Sequence, residues 1–298
     1  MIHRAELLHV LYEACLTHGV KLLANHEVTR IFDGVTGVRV TCENGTALQS
    51  DAVVGADGLW SLARKCVDRD APLIEPFVAY RGTNPTSQVP YHRHIEDVVM
   101  WIAPGLHYVQ YAIRKGTLYN LVMVFRSTRP EPTIDKSGPS EELDHVLVPL
   151  HENLRATTPF IRRDRHWPMI HRKPIPMWSR GRLVLVGDAA HPMLQYIAQG
   201  ACQAIEDATT LARSVASKPN DLDRAFEDFE RTRVKRATQV QTVVRQFGEI
   251  IHQADPTAIV LRNHILRHRT PCDYTVVDWL YNDFDGRFPA SGVVTSER

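Results

Sequence analysis

The stretch Leu183–Pro192, LVLVGDAAHP, decides how the chain is interpreted. Its first four residues are all apolar, which is typical of a strand buried on both faces. Asp188 follows this strand, and beyond the next loop a helix is predicted from about Gln203 to Ser217. The N-terminus of a helix favours an anionic or hydroxylated ligand, because its first N–H groups are unpaired. The stretch predicts an α/β layer with a ligand site near Asp188. An ordinary strand-loop-helix connection would use the Asp only as a cap.

A second stretch, Ala52–Arg64, AVVGADGLWSLAR, repeats the pattern of an apolar strand followed by a loop. Gly58 permits a tight turn, and Ser61 is a candidate helix N-cap. Asp57 is placed to accept hydrogen bonds from hydroxyls or backbone amides. By itself the stretch also fits a plain strand-to-helix turn.

The hydrophobic pattern divides the chain into four segments. Residues 1–71 hold a helix over 5–15 and a β-meander with an Asn44-Gly45 hairpin signal. Residues 72–180 are rich in prolines and aromatics, with strands predicted at 98–102, 107–114 and 118–125. Residues 181–220 return to the α/β layer, and residues 221–298 hold a long helix, to about residue 252, and an aromatic-rich tail over 274–288. We expect a discontinuous α/β domain, an inserted β-rich domain and C-terminal helices.

Composition excludes several classes of function. Thirty-five Lys and Arg balance thirty-four Asp and Glu, so the net charge of +1 gives no reason to expect a nucleic-acid partner. No run of about eighteen apolar residues is present to span a bilayer. The five cysteines are scattered and the fifteen histidines form no HExxH, so we predict reduced thiols, a cytoplasmic protein and no metal site.

The two stretches together resemble the "DG" and "GD" motifs of the group A flavoprotein monooxygenases, which are FAD-dependent aromatic hydroxylases, and they occur in the family's order. The resemblance implies that Asp188 binds the ribityl chain of FAD. It also implies that the loop from Gly187 to Pro192 lies beneath the flavin and that the amides near Gly200 and Ala201 face its pyrimidine edge. The resemblance also associates Asp57 and Gly58 with FAD binding and with the reduction of FAD by NADH or NADPH. His3-Arg4 resembles the family's "HRxxL" helix start, in which the Arg reaches the FAD phosphates.

The glycine loop that opens this family is absent from the 298 residues, since no GxGxxG occurs in them. A resemblance that starts at His3 implies that about one hundred family residues lie upstream, judged from a βαβ unit and its extensions. We therefore expect a Rossmann-like FAD-binding domain that is incomplete at its N-terminus. The alternative is a non-catalytic fragment that keeps only an aromatic-ligand pocket or a dimer interface.

A predicted strand over residues 107–114 is the candidate substrate wall. On a strand, His107 and Tyr111 share a face and lie about 13 Å apart, which is enough to bracket one aromatic ring. This segment, with Tyr80-Arg81-Gly82 and Met193–Tyr196, resembles the 3-hydroxybenzoate 6-hydroxylase and salicylate hydroxylase branch. In the 3-hydroxybenzoate 6-hydroxylases a His, a Tyr four positions later and a Gln in this loop surround the substrate, and the resemblance maps these positions to His107, Tyr111 and Gln195.

The resemblance implies that NAD(P)H and O2 are used to hydroxylate a phenolic aromatic acid, with 3-hydroxybenzoate to gentisate preferred and a salicylate-type reaction as the alternative. His107 is the candidate base, because an imidazole titrates near neutrality, while Tyr111 and Gln195 orient the ring. His191 belongs to the cofactor loop rather than to proton transfer. One departure is His171, where the family commonly has an Asp before the Arg. A homodimer is left open.

Overall fold

The computed structural model describes residues 2–34, 37–90, 96–129, 134, 136, 140–147, 150–270, 273–274 and 277–281. The helices are α1 (Arg4–Thr17), α2 (Arg64–Val67), α3 (Ser140–Leu147), α4 (Glu152–Arg155), α5 (Gly200–Ser217), α6 (Leu222–Ile251), α7 (Pro256–Arg267) and α8 (Asp278–Tyr281). The strands are β1 (Val28–Gly34), β2 (Gly37–Cys42), β3 (Ala47–Ser50), β4 (Val53–Gly55), β5 (Leu73–Pro85), β6 (Val98–Ala103), β7 (Leu106–Ile113), β8 (Leu118–Arg126), β9 (Trp167–His171), β10 (Ser179–Arg180) and β11 (Leu183–Leu185).

The α/β class is confirmed, and the predicted elements are found with small changes at their ends. The helix expected over 5–15 is α1, and the meander is β1-β2-β3 with antiparallel pairing. α5 begins at Gly200, three residues before the expected start, because Gln199 already takes a helical backbone conformation. Most of the aromatic tail over 274–288 lies outside the described residues.

A small sheet in the order β10-β11-β4 carries both sequence motifs. β11 and β4 are parallel, with Leu185 opposite Gly55, although residues 56 to 182 lie between the two strands in the chain. The core beside this sheet contains Trp178, Val184 and Leu185, which α5 and α6 cover through residues such as Leu211 and Phe229. The fully apolar strand that the sequence predicted is therefore buried on both sides.

A separate antiparallel sheet in the order β6-β7-β8-β5-β9 forms the β-rich part of the chain. β5 and β9 were not predicted as strands, because both contain proline. Pro76 lies at an irregularity in the β5–β9 register, and Pro168 lies on the edge strand β9, the two places where a strand tolerates a missing N–H donor. Tyr80, Tyr108 and Met123 fill the core on one side of this sheet.

The chain separates into two compact units, Met1–His252 and Gln253–Arg298. The first unit contains all three of these sheets and ends with α6 and its cap, and the division expected within it at residues 71, 180 and 220 stays a prediction. The second unit contains α7, whose N-cap Asp255 accepts from the N–H of Ala258 at 2.8 Å. Over the part of the chain that is described, no helix is long and apolar enough to cross a membrane.

Candidate active site

The parallel pairing of β4 and β11 brings the two motif loops to one edge of the small sheet. The N–H of Val186 donates to the carbonyl of Gly55 at 3.0 Å, so both chains leave the sheet side by side. Gly55 has no room for a side chain, because an added Cβ would lie 2.4 Å from the Cβ of Ala63. Ligands of open α/β sheets bind beyond the carboxyl ends of the strands, and both motifs occupy that position.

Asp188 is the exposed acceptor of this edge. The Asp188 carboxylate lies beside Gly200, the first residue of α5, because a Cβ built on Gly200 would be 3.8 Å from Oδ1 of Asp188. Its carboxylate makes no hydrogen bond or ion pair with any residue in the described ranges. Surrounding protein atoms desolvate the carboxylate and raise its pKa, while His191 and Arg4 act in the opposite direction. The Gly187-Asp188 start of this loop thus presents a free acceptor beside a helix N-terminus and near Arg4.

Asp57 is, by contrast, already engaged by its own loop. It accepts from the hydroxyl of Ser61 at 2.5 Å and from the N–H groups of Leu62 and Ala63 at 2.7 and 3.1 Å. Gly58 takes a φ of +77°, which only glycine adopts easily. The predicted hydrogen bonds to backbone amides are therefore present, and they shape the turn into α2.

Arg64, at the end of the same motif, joins the two loops. Its guanidinium is fully buried and donates to the carbonyls of Ala189 and Ala190 at 3.0 and 2.6 Å. It also forms an ion pair with Asp70 at 2.7 Å. Sequence reasoning assigned no role to Arg64, and a long-range contact of this kind leaves no local sequence signal.

A buried ionic cluster lies behind the second loop. Asp207, which is fully buried, accepts from the N–H of Gly187 at 2.8 Å, contacts Nε2 of His191 at 2.5 Å and pairs with Arg233 at 2.7 Å. Burial by itself raises the pKa of Asp207, but the His191 hydrogen bond and Arg233 outweigh it and lower the pKa. His191 therefore holds the second loop against the helix that carries Asp207. Arg233 is fully buried and ion-paired inside the protein.

The antiparallel sheet supplies the second part of the site. His107 and Tyr111 share one face of β7, as predicted from their spacing. The register places Arg81 of β5 opposite Val122, which in turn lies opposite Val109. Arg81 therefore stands on the same face, on the row midway between His107 and Tyr111.

Arg81 also reaches the loop that carries Gln195. Its Nη2 donates to Oε1 of Gln195, and its guanidinium lies over the ring of Trp167 at 5.4 Å. Burial lowers the pKa of Arg81, whereas the hydroxyl of Tyr111 acts to raise it. Within the described residues Arg81 has no carboxylate partner. Its Nε and the Nε2 of Gln195 are buried donors without an acceptor.

His107 lies in an enclosed part of the same face. It is 2% exposed, its Nδ1 is 2.7 Å from Nε2 of His252, and its ring meets Tyr196 edge-on at 5.5 Å. Burial, with a smaller contribution from His252, lowers the pKa of His107 to about 3. His107 is therefore neutral at physiological pH.

The departure at His171 has a local solution. Nε2 of His171 contacts Oε1 of Glu75 at 2.9 Å, which lowers the pKa of Glu75. Arg172 pairs with Asp70 at 3.1 Å and donates to the carbonyl of Leu59 at 2.9 Å. Although His171 stands where the family commonly has an Asp, Arg172 is still ion-paired, because Asp70 supplies the carboxylate.

The arrangement suits a flavin at the sheet edge and a small aromatic acid above it. Asp188 offers free acceptor oxygens for the hydroxyls of a ribityl chain, and the first N–H groups of α5 favour the electron-rich end of a flavin. The buried donors of Arg81 and Gln195 match a carboxylate, because unpaired buried donors are otherwise unfavourable.

Arg81, Tyr196 and His252 were missed as site residues by sequence reasoning. Only Arg81 and Tyr196 lay within stretches that had been singled out.

Comparison with known proteins gives concordant results. The model of the "FAD binding domain" family matches residues 1–244. The 3-hydroxybenzoate 6-hydroxylases of Klebsiella oxytoca and Polaromonas naphthalenivorans are 33% and 34% identical over 94% of this chain, which spans 71% and 70% of their lengths. A solved salicylate hydroxylase in complex with its substrate superposes with a TM-score of 0.77 at 24% identity, covering 95% of this chain and 74% of that one.

Proposed function

The chain belongs to the FAD-binding-domain family of flavoprotein monooxygenases, and on this premise we propose that it hydroxylates a monohydroxybenzoate, with 3-hydroxybenzoate to gentisate preferred over salicylate to catechol. The balanced reaction consumes the phenol, O2, NAD(P)H and a proton, and it yields the dihydroxybenzoate, water and NAD(P)+. The names of the two relatives support 3-hydroxybenzoate as the substrate.

The single observation that carries the proposal is the pair of unsatisfied donors on Arg81 and Gln195. A guanidinium that is partly buried without a carboxylate partner is unfavourable in the empty protein, and an aromatic carboxylate relieves this. Tyr111 lies near enough to interact with the charge of Arg81, so it lines the same space. These groups would bind and orient the acid end of the ring.

His107 is the proposed acceptor of the phenol proton. Deprotonating the phenol makes the ring carbon para to it more nucleophilic, and in 3-hydroxybenzoate this is the carbon that becomes hydroxylated in gentisate. FAD, held at Asp188 with Arg4, Gly187, Pro192, Gly200 and Ala201 around it and with Asp57 and Gly58 shaping the neighbouring loop, would supply the activated oxygen after reduction by NADH or NADPH. The enclosed face around His107 and Tyr196 would exclude water from the reacting ring.

Product analysis on the FAD-loaded full chain tests this function. With NADH or NADPH and each hydroxybenzoate, we expect gentisate from 3-hydroxybenzoate as the main product by chromatography. His107→Ala should lower kcat by about 10²-fold or more while FAD stays bound, the usual scale of general-base assistance. Catechol from salicylate without gentisate would reverse the substrate preference, and full activity of the His107 variant would remove it as the base.

The same assay distinguishes the proposed enzyme from the alternative, a non-catalytic fragment. Such a fragment would bind the ring acid but would not consume NAD(P)H in response to it. Comparing NADH with NADPH identifies the reductant, and sedimentation of the FAD-loaded protein tests the homodimer. The four free cysteines at positions 15, 42, 66 and 202 support a cytoplasmic site of action.

A further inference from the structure

His107 and His252 form a hydrogen-bonded pair of imidazoles inside the first unit. Nδ1 of His107 and Nε2 of His252 are 2.7 Å apart, and the ring centroids are 4.9 Å apart. His252 caps the C-terminus of α6, so the pair joins the substrate sheet to the longest helix. Phe77 stacks on His252 at 4.4 Å, and Tyr196 meets it edge-on at 5.3 Å. The rings of Phe77 and Tyr196 therefore fix the orientation of the two imidazoles.

A hydrogen bond between two neutral imidazoles needs one N–H and one unprotonated nitrogen. Over the described residues, Nε2 of His107 makes no hydrogen bond. We propose that His252 is a positioning residue that keeps the proton of His107 on Nδ1, leaves Nε2 free to accept the phenol proton, and then takes up the Nδ1 proton. This inference rests on the proposed function, because it assigns a partner to the base of that reaction.

The proton transfer balances without any other reactant. The phenol O–H bond breaks and an N–H bond forms at Nε2 of His107, which makes an imidazolium. The Nδ1–H bond of His107 then breaks as an N–H bond forms at Nε2 of His252. His252 returns to the neutral form when its Nδ1 releases a proton to water. One proton enters the pair and one leaves it, and no electrons are exchanged.

The surroundings favour transfer in this direction. Burial lowers the pKa of both imidazoles, so both are neutral at physiological pH and either can accept a proton. The C-terminal end of α6 carries partial negative charge, which stabilises a cation on its cap. His252 is 8% exposed against 2% for His107, so it is also nearer to solvent.

Other ionisable groups around the pair come from the neighbouring elements. Arg126 lies at the end of β8, Glu75 lies on β5 with His171 as its partner, and Tyr196 lies on the loop. Burial raises the pKa of Tyr196, and the charge of Glu75 acts in the same direction, so this hydroxyl stays neutral. None of these groups bonds to Nε2 of His107, and the pair therefore carries the transfer.

The tautomer of His107 is the first test. Nitrogen-15 NMR of the FAD-loaded protein labelled at histidine, assigned with His107→Gln and His252→Gln, should show the proton of His107 on Nδ1. In His252→Gln the amide oxygen can still accept that hydrogen bond, so the tautomer should be kept. In His252→Phe, which keeps the stacking on Phe77 but has no acceptor, the tautomer preference should be lost. A proton on Nε2 of His107 in the unaltered protein would overturn the inference.

Kinetic measurements distinguish two roles of His252: keeping the tautomer of His107, and accepting the proton of His107. His252→Gln should lower kcat roughly 10-fold with little change in KM, and His252→Phe should lower it further, toward the effect of losing His107. Added imidazole should partly restore His252→Ala, because a small base can occupy the space. Wild-type kcat and pH profile in His252→Phe would overturn the inference. If the unaltered protein hydroxylates no monohydroxybenzoate, the proposed function fails. The NMR measurement then decides by itself whether His252 determines the tautomer of His107.

Discussion

Two polar clusters of this protein use the same kinds of residue and differ in how fully their charges are matched. In the cluster behind the second loop, Asp207 is matched by Arg233, His191 and the N–H of Gly187. In the cluster on the antiparallel sheet, Arg81 donates to the neutral oxygen of Gln195, and among the described residues it has no carboxylate partner. Donors of both side chains stay unsatisfied there. The carboxylate charge of Asp207 is thus matched by protein groups, whereas the guanidinium charge of Arg81 is not.

This difference distinguishes residues that stabilise the fold from residues that bind a ligand. A buried charge that is fully paired holds elements together, and removing one partner leaves the other uncompensated. A buried donor without an acceptor is unfavourable for folding, and its hydrogen bond becomes favourable when a ligand supplies the acceptor. Substitutions should therefore weaken folding at the Asp207 cluster and weaken substrate binding at the Arg81 cluster.

The largest effect is expected at Asp207. Asp207→Ala removes one of the two carboxylates that pair with the buried Arg233, leaving only Glu206, and it also removes the acceptor of Gly187 and His191. The free energy of unfolding should therefore fall by about 3 to 5 kcal/mol. Urea unfolding followed by circular dichroism measures this. Glu249→Ala, which removes an exposed ion pair with Arg245, is the control and should change stability by about 1 kcal/mol or less. Equal losses in the two variants would end the distinction between the clusters.

The Arg81 cluster should respond in binding rather than in folding. Arg81→Met removes a charge-assisted hydrogen bond to the substrate carboxylate, so the Kd for 3-hydroxybenzoate should rise about 10- to 100-fold, with unfolding free energy nearly unchanged. Arg165→Met is a matched control, because Arg165 also lies over the Trp167 ring, at 5.7 Å, but is exposed. Calorimetric titration checks both variants, and unaltered affinity in Arg81→Met would assign the carboxylate to another group.

The two motif aspartates offer a second contrast between free and engaged groups. Asp188→Ala should weaken FAD binding by about 1 to 3 kcal/mol, since it removes an acceptor from the cofactor hydroxyls. Asp57→Ala should instead reduce stability by about 1 kcal/mol, because it removes the cap of the turn into α2. Fluorescence titration with FAD and urea unfolding, applied to both variants, measure the two effects. An Asp57 variant that loses FAD affinity with full stability would reverse these roles.

The histidine pair predicts a pH dependence of stability. The folded pKa values of about 3 for His107 and about 4 for His252 lie below their ordinary value of 6.5, so the unfolded chain binds more protons between these limits. Stability should therefore fall as pH drops from 6.5 toward 4, by about 1.4 kcal/mol per pH unit for each histidine. His107→Gln/His252→Gln should flatten the slope, whereas exposed His9→Gln/His18→Gln should leave it unchanged. Urea unfolding at a series of pH values measures the slopes.

The sequence by itself determined the α/β class, the two loops and the residues that share a face of β7. Each depends on short-range rules: an apolar run predicts a buried strand, and alternation along a strand places His107 and Tyr111 together. Aspartate after glycine at the end of such a strand already indicated the cofactor edge. The proline-containing strands β5 and β9 escaped these rules, because only the sheet reveals that Pro168 lies on an edge and Pro76 at an irregular position.

Only the tertiary structure decided which polar residues act together. Arg81 joins the row of His107 and Tyr111 through the register of β5, β8 and β7, and no spacing along the chain indicates that register. His252 reaches His107 across 145 positions, and Arg64 reaches Ala189 across 125. Such contacts depend on how elements pack, and packing is specified by the whole core rather than by any local pattern. Burial then determines whether a given charge is matched, as at Asp207, or left for a ligand, as at Arg81.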